Sequence, residues 1–101
     1  MTDWDGFRTT ALAFMQACDV IVCPVCWTPA VAHGAMRMID FSYTVPYSLT
    51  GWPSVVVRAA TSPEGLPIGV QITARPWRED VALAVAEYIE TQLGGWQAPP
   101  L

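Results

Sequence analysis

Apolar residues near both ends of the chain recur at steps of three and four, which is the spacing of one face of an α-helix. The first helix is expected to start at Thr2 or Asp3, and the second to run from about Glu79 to Leu93 before the pair Gly94-Gly95 stops it. The first face comprises Trp4, Phe7, Ala11, Phe14, Met15 and Cys18, and the second comprises Val81, Val85, Tyr88 and Ile89.

Three shorter apolar runs predict β-strands. Residues 20–23 (Val-Ile-Val-Cys) are apolar at every position, as in a strand covered on both faces in the middle of an α/β sheet. Residues 54–58 form a second run, and apolar residues alternate with other types over 67–73. Residues 62–65 (Ser-Pro-Glu-Gly) suit a type I turn. Because this link is too short for a crossover helix, the second and third strands are predicted to pair antiparallel.

The middle of the chain is less regular. Proline and glycine predict a loop from Pro24 to about Ile39, and residues 40–49 fit either a loop or a short helix. In the helical case Ser42 is the expected cap, Pro46 lies in the first turn and Gly51 ends the helix. The predicted order is therefore α-β-loop-β-β-α, a single segment of the α/β class.

Length and composition limit the kind of protein. The 101 residues allow one domain. Hydrophobic residues make up 52% and charged residues only 14%, against about 25% charged in typical domains, which excludes a disordered chain. So few polar residues cannot cover the large surface of a small globule. The composition suits a buried part of something larger, a subunit with a wide apolar interface, or a non-catalytic interaction module.

Charge and apolar runs exclude several partners and suggest a compartment. The net charge is −4 and the chain has no Lys, so a nucleic-acid surface with clustered cations is not expected. The longest apolar stretch, residues 20–27, is too short for a membrane span and contains a proline. Asp3 and Asp5 stand where a signal peptide would be basic, and three cysteines favour reduced thiols in the cytoplasm. The five cations are scattered: Arg8, Arg37, Arg58, Arg75 and Arg78.

The cysteines allow a second kind of function, a small thiol-disulfide protein that uses Cys23 and Cys26. A redox pair of this type needs a helix N-terminus after its first cysteine, and no helix signal follows here. A zinc site needs two more ligands, and only Cys18 and His33 remain. A nucleophilic pair of Cys26 with His33 lacks an orienting third group. The residues alone therefore predict no self-contained active site and no metal site.

Four passages carry a resemblance to a known family. Residues 19–24, followed by the Thr-Pro-Ala of 28–30 and the His-Gly of 33–34, resemble the DvLvcP…tPa…hG passage of amidase-signature hydrolases. Residues 43–53 (YTVPYSLTGWP) resemble that family's yT.pfNltGlP, residues 66–72 its GLPiGvQl, and residues 75–80 its grpf.ed. The chain is similar to the C-terminal part of these enzymes, which include fatty-acid amide hydrolases and the amidase subunit of glutamyl-tRNA amidotransferase.

The resemblance implies the C-terminal piece of the family's mixed-sheet fold, with the strands at 20–23, 54–58 and 67–73 inside the parent sheet. Family members cleave amides with a Ser nucleophile, a bridging Ser and a Lys, and need no cofactor. None of these catalytic residues can be assigned here, because the chain lacks Lys and its serines stand apart. Ser48 replaces the usual Asn, and Arg58 the usual Pro.

This segment is expected to supply part of the wall of the substrate pocket. The passage at residues 41–45 resembles one that lines the acyl pocket in members that take fatty-acid amides. Phe41 and Val45 are four residues apart and share a face if the segment is helical, so they are the predicted substrate contacts. The implied partners are a missing N-terminal amidase segment or a second copy, with a small amide as substrate of the complete enzyme.

Overall fold

The computed structural model describes residues 3–26 and 28–99, leaving aside the side chain of Trp4. The α/β class and the predicted order are confirmed, and two short helices occupy the middle of the chain. The elements are α1 (Asp3–Met15), β1 (Val20–Pro24), a 3-10 helix (Met38–Phe41), α2 (Val45–Thr50), β2 (Ser54–Thr61), β3 (Pro67–Ala74) and α3 (Glu79–Gln92).

The three strands form one antiparallel sheet in the order β1-β3-β2. The antiparallel pairing of β2 with β3 is as predicted, because the turn at residues 62–65 joins them directly. In this three-stranded sheet β1 lies at the edge and Val22 is 50% exposed, so the interior position expected for β1 in the parent sheet stays a prediction. The apolar residues of β1 suit a covered strand, yet the described part of the chain supplies no strand that pairs with its outer side.

Both faces of the sheet are covered over β3. Gln71 and Thr73 point to one face, where the Gln71 side chain bonds the segment that precedes α2. Ile72 and Ala74 point to the other face and have no exposed surface. Helix α3 packs against β2 and β3 through a side that includes the buried Ala82 and Ala86, so it covers the face of Ile72 and Ala74. Small side chains at these two positions let the helix approach the sheet closely.

Helix α1 forms as predicted but ends at Met15, earlier than expected. Of the predicted apolar face, Met15 is fully buried, whereas Phe7 is 42% and Phe14 63% exposed. The cap expected at Thr2 and the side chain of Trp4 lie outside the described parts of the chain. Ala11 and Cys18 are half-buried, so the described part of the chain covers this face only in part and leaves Phe7 and Phe14 exposed. Among the described residues no helix is both long and apolar enough to cross a bilayer.

Helix α2 is the short helix that residues 40–49 allowed. Pro46 lies in its first turn, and Gly51 ends it in the left-handed conformation with φ of 72°. The Gly51 amide donates to the Tyr47 carbonyl at 3.0 Å, which closes the last turn. Thr44 takes the cap position instead of Ser42, and its side chain makes no capping bond.

Replacing Gly51 by Ala should lower the free energy of unfolding by about 1–2 kcal/mol, because a Cβ is disfavoured at this φ. Gly51→Asn is the matched control. Its free energy of unfolding should fall much less, since Asn tolerates the left-handed region. Urea unfolding followed by far-ultraviolet circular dichroism measures both. Equal losses in the two variants would show that the left-handed conformation is not what Gly51 provides.

Candidate functional site

An apolar cavity of about 620 Å³ lies on the Gly69 side of the sheet. Its wall comes from the chain just after β1, the middle of β2 and the start of β3. The lining residues are 24–26, 28–30, 56–58, 67–69 and Tyr43. Among the described residues of the lining, the ionisable side chains are those of Arg58, Cys26 and Tyr43, and the others are mostly apolar. The cavity therefore suits an apolar occupant.

Gly69 forms part of the floor of this cavity. A Cβ at this position would lie 3.2 Å from both Val25 Cγ2 and Val56 Cγ1, closer than ordinary van der Waals contact. The absence of a side chain therefore lets the chain after β1 fold down over the sheet. The glycine that the sequence places within the alternating run of β3 is explained by this close approach.

A polar contact holds Tyr43 in the cavity wall. Gln71 is 4% exposed, and its Nε2 donates to the Tyr43 carbonyl at 3.2 Å and more weakly to Cys23 Sγ at 3.7 Å. Gln71 thus connects β3 both to β1 and to the turn between the 3-10 helix and α2. A buried Gln71 amide without these acceptors would destabilise the fold. The hydrogen bond that it needs therefore fixes the position of the Tyr43 backbone.

Tyr47 of α2 completes the polar cluster. Burial is the main cause that raises the pKa of its phenol, and the Cys23 thiol raises this pKa further by charge repulsion and by a hydrogen bond. The fold therefore favours the neutral phenol. This preference for the neutral Tyr47 phenol stabilises the fold at pH values below the ordinary tyrosine pKa. The stabilisation is lost as the pH rises through the raised pKa of Tyr47.

The predicted substrate contacts do not share one regular helix. Phe41 is the last residue of the 3-10 helix and Val45 is the first of α2, with a turn between them in which the Thr44 amide donates to the Phe41 carbonyl at 3.1 Å. Phe41 is 43% and Val45 45% exposed, so both side chains present apolar surface to solvent. Neither lines the 620 Å³ cavity, whereas Tyr43 between them does.

The geometry gives little support to a thiol-disulfide function of Cys23 and Cys26. Cys18, Cys23 and Cys26 are free and partly exposed, and the next helical residue after Cys26 is Met38. Along the described chain the pair is therefore not followed directly by a helix N-terminus of the kind that stabilises a thiolate in redox pairs. His33 is exposed in the loop, and within residues 3–26 and 28–99 no group of three or more His, Cys, Asp and Glu side chains is arranged to hold a metal.

The buried carboxylate of Asp40 has a structural partner. Its Oδ2 accepts the Arg37 amide at 2.8 Å, and its Oδ1 lies 3.5 Å from the Arg37 guanidinium. These contacts cap the 3-10 helix and set the start of the segment that leads to Phe41 and Tyr43. Asp40 therefore positions the wall and presents no free carboxylate for proton transfer.

Comparison with known proteins identifies the family. The sequence model described as Amidase matches residues 2–83. The chain belongs to the amidase family. It is 38% identical over 63 residues to fatty-acid amide hydrolase 2 of Homo sapiens, and 36% identical over 94 residues to the A subunit of the glutamyl-tRNA(Gln) amidotransferase of Bartonella bacilliformis. These stretches are 62% and 84% of this chain.

Solved amidase structures have the same fold. The structure of 6-aminohexanoate cyclic dimer hydrolase superposes on 95% of this chain with a TM-score of 0.80 and 25% identity. A crystal structure of an amidase superposes on 90% with a TM-score of 0.83 and 24% identity, which supports the fold alone. The chain spans only 12–19% of the length of the two curated relatives and about 24% of the hydrolase structure. It therefore matches a short part of longer amidase-family enzymes, as expected.

The pKa of Tyr47 should fall part of the way back toward its ordinary value in the variant Cys23→Ala. Removing the thiol abolishes its charge repulsion and hydrogen bond, but burial is the larger cause and remains. Ultraviolet titration of the phenolate, with Tyr47→Phe as the blank that isolates this tyrosine, gives the shift. A Cys23→Ala titration that overlays the unsubstituted chain would show that the two side chains do not interact.

Proposed function

We propose that this chain is the C-terminal part of an amidase, residues 1–101 forming one segment of the amidase domain, and that it acts together with an N-terminal segment. That segment supplies the serine nucleophile and the proton acceptor for hydrolysis of an amide C–N bond. This chain contributes sheet core and part of the substrate-pocket wall. The proposal accounts for a family match that covers only a short part of its relatives, in a chain without Lys.

The observation that carries the proposal is the excess of exposed surface. The chain exposes 7126 Å², whereas a folded monomer of 11.0 kDa is expected to expose about 5,600 Å². Its radius of gyration is 15.2 Å, against about 13 Å for a compact domain of this size, and it is only 16 Å thick along its shortest axis. A thin shape with much exposed apolar surface is expected if the chain forms one layer of a larger hydrophobic core.

The role of Phe41 and Val45 as wall is part of the same proposal. Phe41 lies between Asp40 and Tyr43, the two positions held by hydrogen bonds, and Val45 follows two residues later. Both present apolar side chains to solvent. In the assembled enzyme these side chains would contact the acyl part of the amide substrate by dispersion and apolar burial, with no part in proton transfer.

We further propose that the enzyme works in the cytoplasm, in keeping with three free thiols.

The chain alone should hydrolyse amides no faster than buffer, because a base-activated nucleophile is missing. Activity should appear when it is co-expressed with the N-terminal segment of the 6-aminohexanoate-cyclic-dimer hydrolase of Pseudomonas sp. (strain NK87), to which it is 42% identical over 64 residues. Release of linear product from that enzyme's cyclic amide measures the activity, with the N-terminal segment alone as control. Turnover by the isolated chain that one Ser→Ala substitution abolishes would contradict the proposal.

In the reconstituted enzyme, Phe41→Ala and Val45→Ala should each reduce kcat/KM for a long-chain acyl amide by about tenfold, the loss expected for about 1.4 kcal/mol of apolar contact. A short-chain amide should be affected less than twofold. Leu49→Ala is the matched control, because Leu49 is 40% exposed on the neighbouring helix α2 and is not assigned to the wall. Equal losses for long and short acyl chains would remove both residues from the pocket.

A further inference from the structure

We propose that a small primary carboxamide binds in a polar cavity between α2 and the sheet, with its –NH₂ group donating to Gln71 Oε1. The site is separate from the proposed substrate wall, because neither Phe41 nor Val45 lines it. The lining residues offer its hydroxyls no ionised base, so the ligand is bound there and not cleaved. The inference therefore does not depend on the proposed function.

The cavity has a volume of about 290 Å³ and shares no lining residue with the apolar cavity of about 620 Å³. Its volume is about ten times the roughly 30 Å³ that one water molecule takes in the liquid, so it has room for a ligand of several heavy atoms. All of its side chains except Trp52 carry a hydroxyl or an amide group, and none is charged at neutral pH. The lining residues are Thr44, Tyr47, Ser48, Trp52, Ser54 and Gln71.

Gln71 presents an acceptor that has no donor. The Tyr43 carbonyl accepts and cannot donate, so the Gln71 nitrogen faces it at 3.2 Å and Oε1 lies on the other side of the amide. Within residues 3–26 and 28–99 no group donates to this oxygen. Gln71 is 4% exposed, and over the same residues no fully buried side-chain nitrogen or oxygen lacks a partner. Oε1 therefore reaches the small accessible surface of Gln71, which lies in this cavity.

Two hydroxyl groups of the lining define the rest of the ligand. Thr44 Oγ1 donates to the Phe41 carbonyl at 3.2 Å, so towards a ligand it acts as a second acceptor. The Ser48 hydroxyl makes no hydrogen bond to another described residue and is available as a donor. The cavity thus offers two acceptors and one donor to its occupant.

This inventory selects a neutral ligand with an –NH₂ group. A carboxylate has acceptors alone and would leave Gln71 Oε1 unpaired. An ammonium group has donors, but the uncharged lining would not repay the loss of its hydration. A primary carboxamide has two N–H donors for Gln71 and Thr44 and a carbonyl that accepts from Ser48. Water is the competitor, because it too can donate to a buried acceptor.

The first test compares three probes of similar size on the 101-residue chain by saturation-transfer difference NMR at micromolar protein concentration. Butyramide should bind about tenfold more tightly than its isomer N,N-dimethylacetamide, which has no N–H, and than butyrate, which is anionic. This difference is the one expected for hydrogen bonds to otherwise unpaired acceptors. Equal binding of the three probes would overturn the inference. Absence of butyramide binding would also overturn it, and would assign Gln71 Oε1 to water.

Ser48→Asn tests the location of the site. The added amide group should fill part of the cavity and weaken butyramide binding about tenfold. The passage that this segment resembles carries Asn at this position, so the variant is expected to fold. Ser42→Asn is the matched control, because Ser42 is exposed in the preceding turn and does not line the cavity. It should bind butyramide as the unsubstituted chain does, and equal losses in the two variants would contradict the proposed location.

The side-chain amide signals of glutamine give a measurement that needs no substitution. Glutamine occurs only at positions 16, 71, 92 and 97, so selective ¹⁵N labelling gives a simple spectrum in which contacts with Tyr43 identify the Gln71 signal. Butyramide should shift the Gln71 signal and leave the other three unchanged. Shifts at the other glutamines without one at Gln71 would overturn the inference, and the proposed function would stand.

Discussion

The double pairing of β3 is the interaction on which the rest of the structure depends. β3 hydrogen-bonds to β1 on one side and to β2 on the other, and its residues 71–74 are all buried. Its faces also determine where the other elements lie. Ile72 and Ala74 form the surface on which α3 packs, while Gln71 donates to the Tyr43 carbonyl and fixes the segment before α2. A change in the register of β3 would therefore displace both layers at once.

This arrangement also determines how the proposed wall residues are held in place. The segment from Asp40 to Val45 has little regular structure, and its position comes from contacts at both ends. Asp40 anchors the start through the Arg37 amide, and Gln71 anchors the turn through the Tyr43 carbonyl. Phe41 lies between these anchors, and Val45 follows two residues after the second, at the start of α2. Rigid placement by the sheet and exposed apolar side chains are the two properties that a pocket wall requires.

The sequence predicted the elements whose pattern is local. The alternation over 67–73 gave β3, the short turn gave the antiparallel pairing, and Pro46 with Gly51 bounded α2. It did not predict the edge position of β1 or the exposed residues on the α1 face. An apolar pattern indicates that a surface is buried, but it does not indicate which part of the polypeptide buries it. Tyr43 was missed as a wall residue, since its position depends on a contact with Gln71, 28 residues later in the chain.

The central claim is that this chain is an incomplete layer of an amidase core, and the most direct measurement is its state in isolation. Sedimentation velocity at micromolar concentration, combined with binding of a hydrophobic dye, reports both association and exposed apolar surface. The account predicts self-association or strong dye binding by the isolated chain, and loss of both when the N-terminal amidase segment is added. A compact monomer that binds no dye and unfolds in one cooperative transition would contradict it.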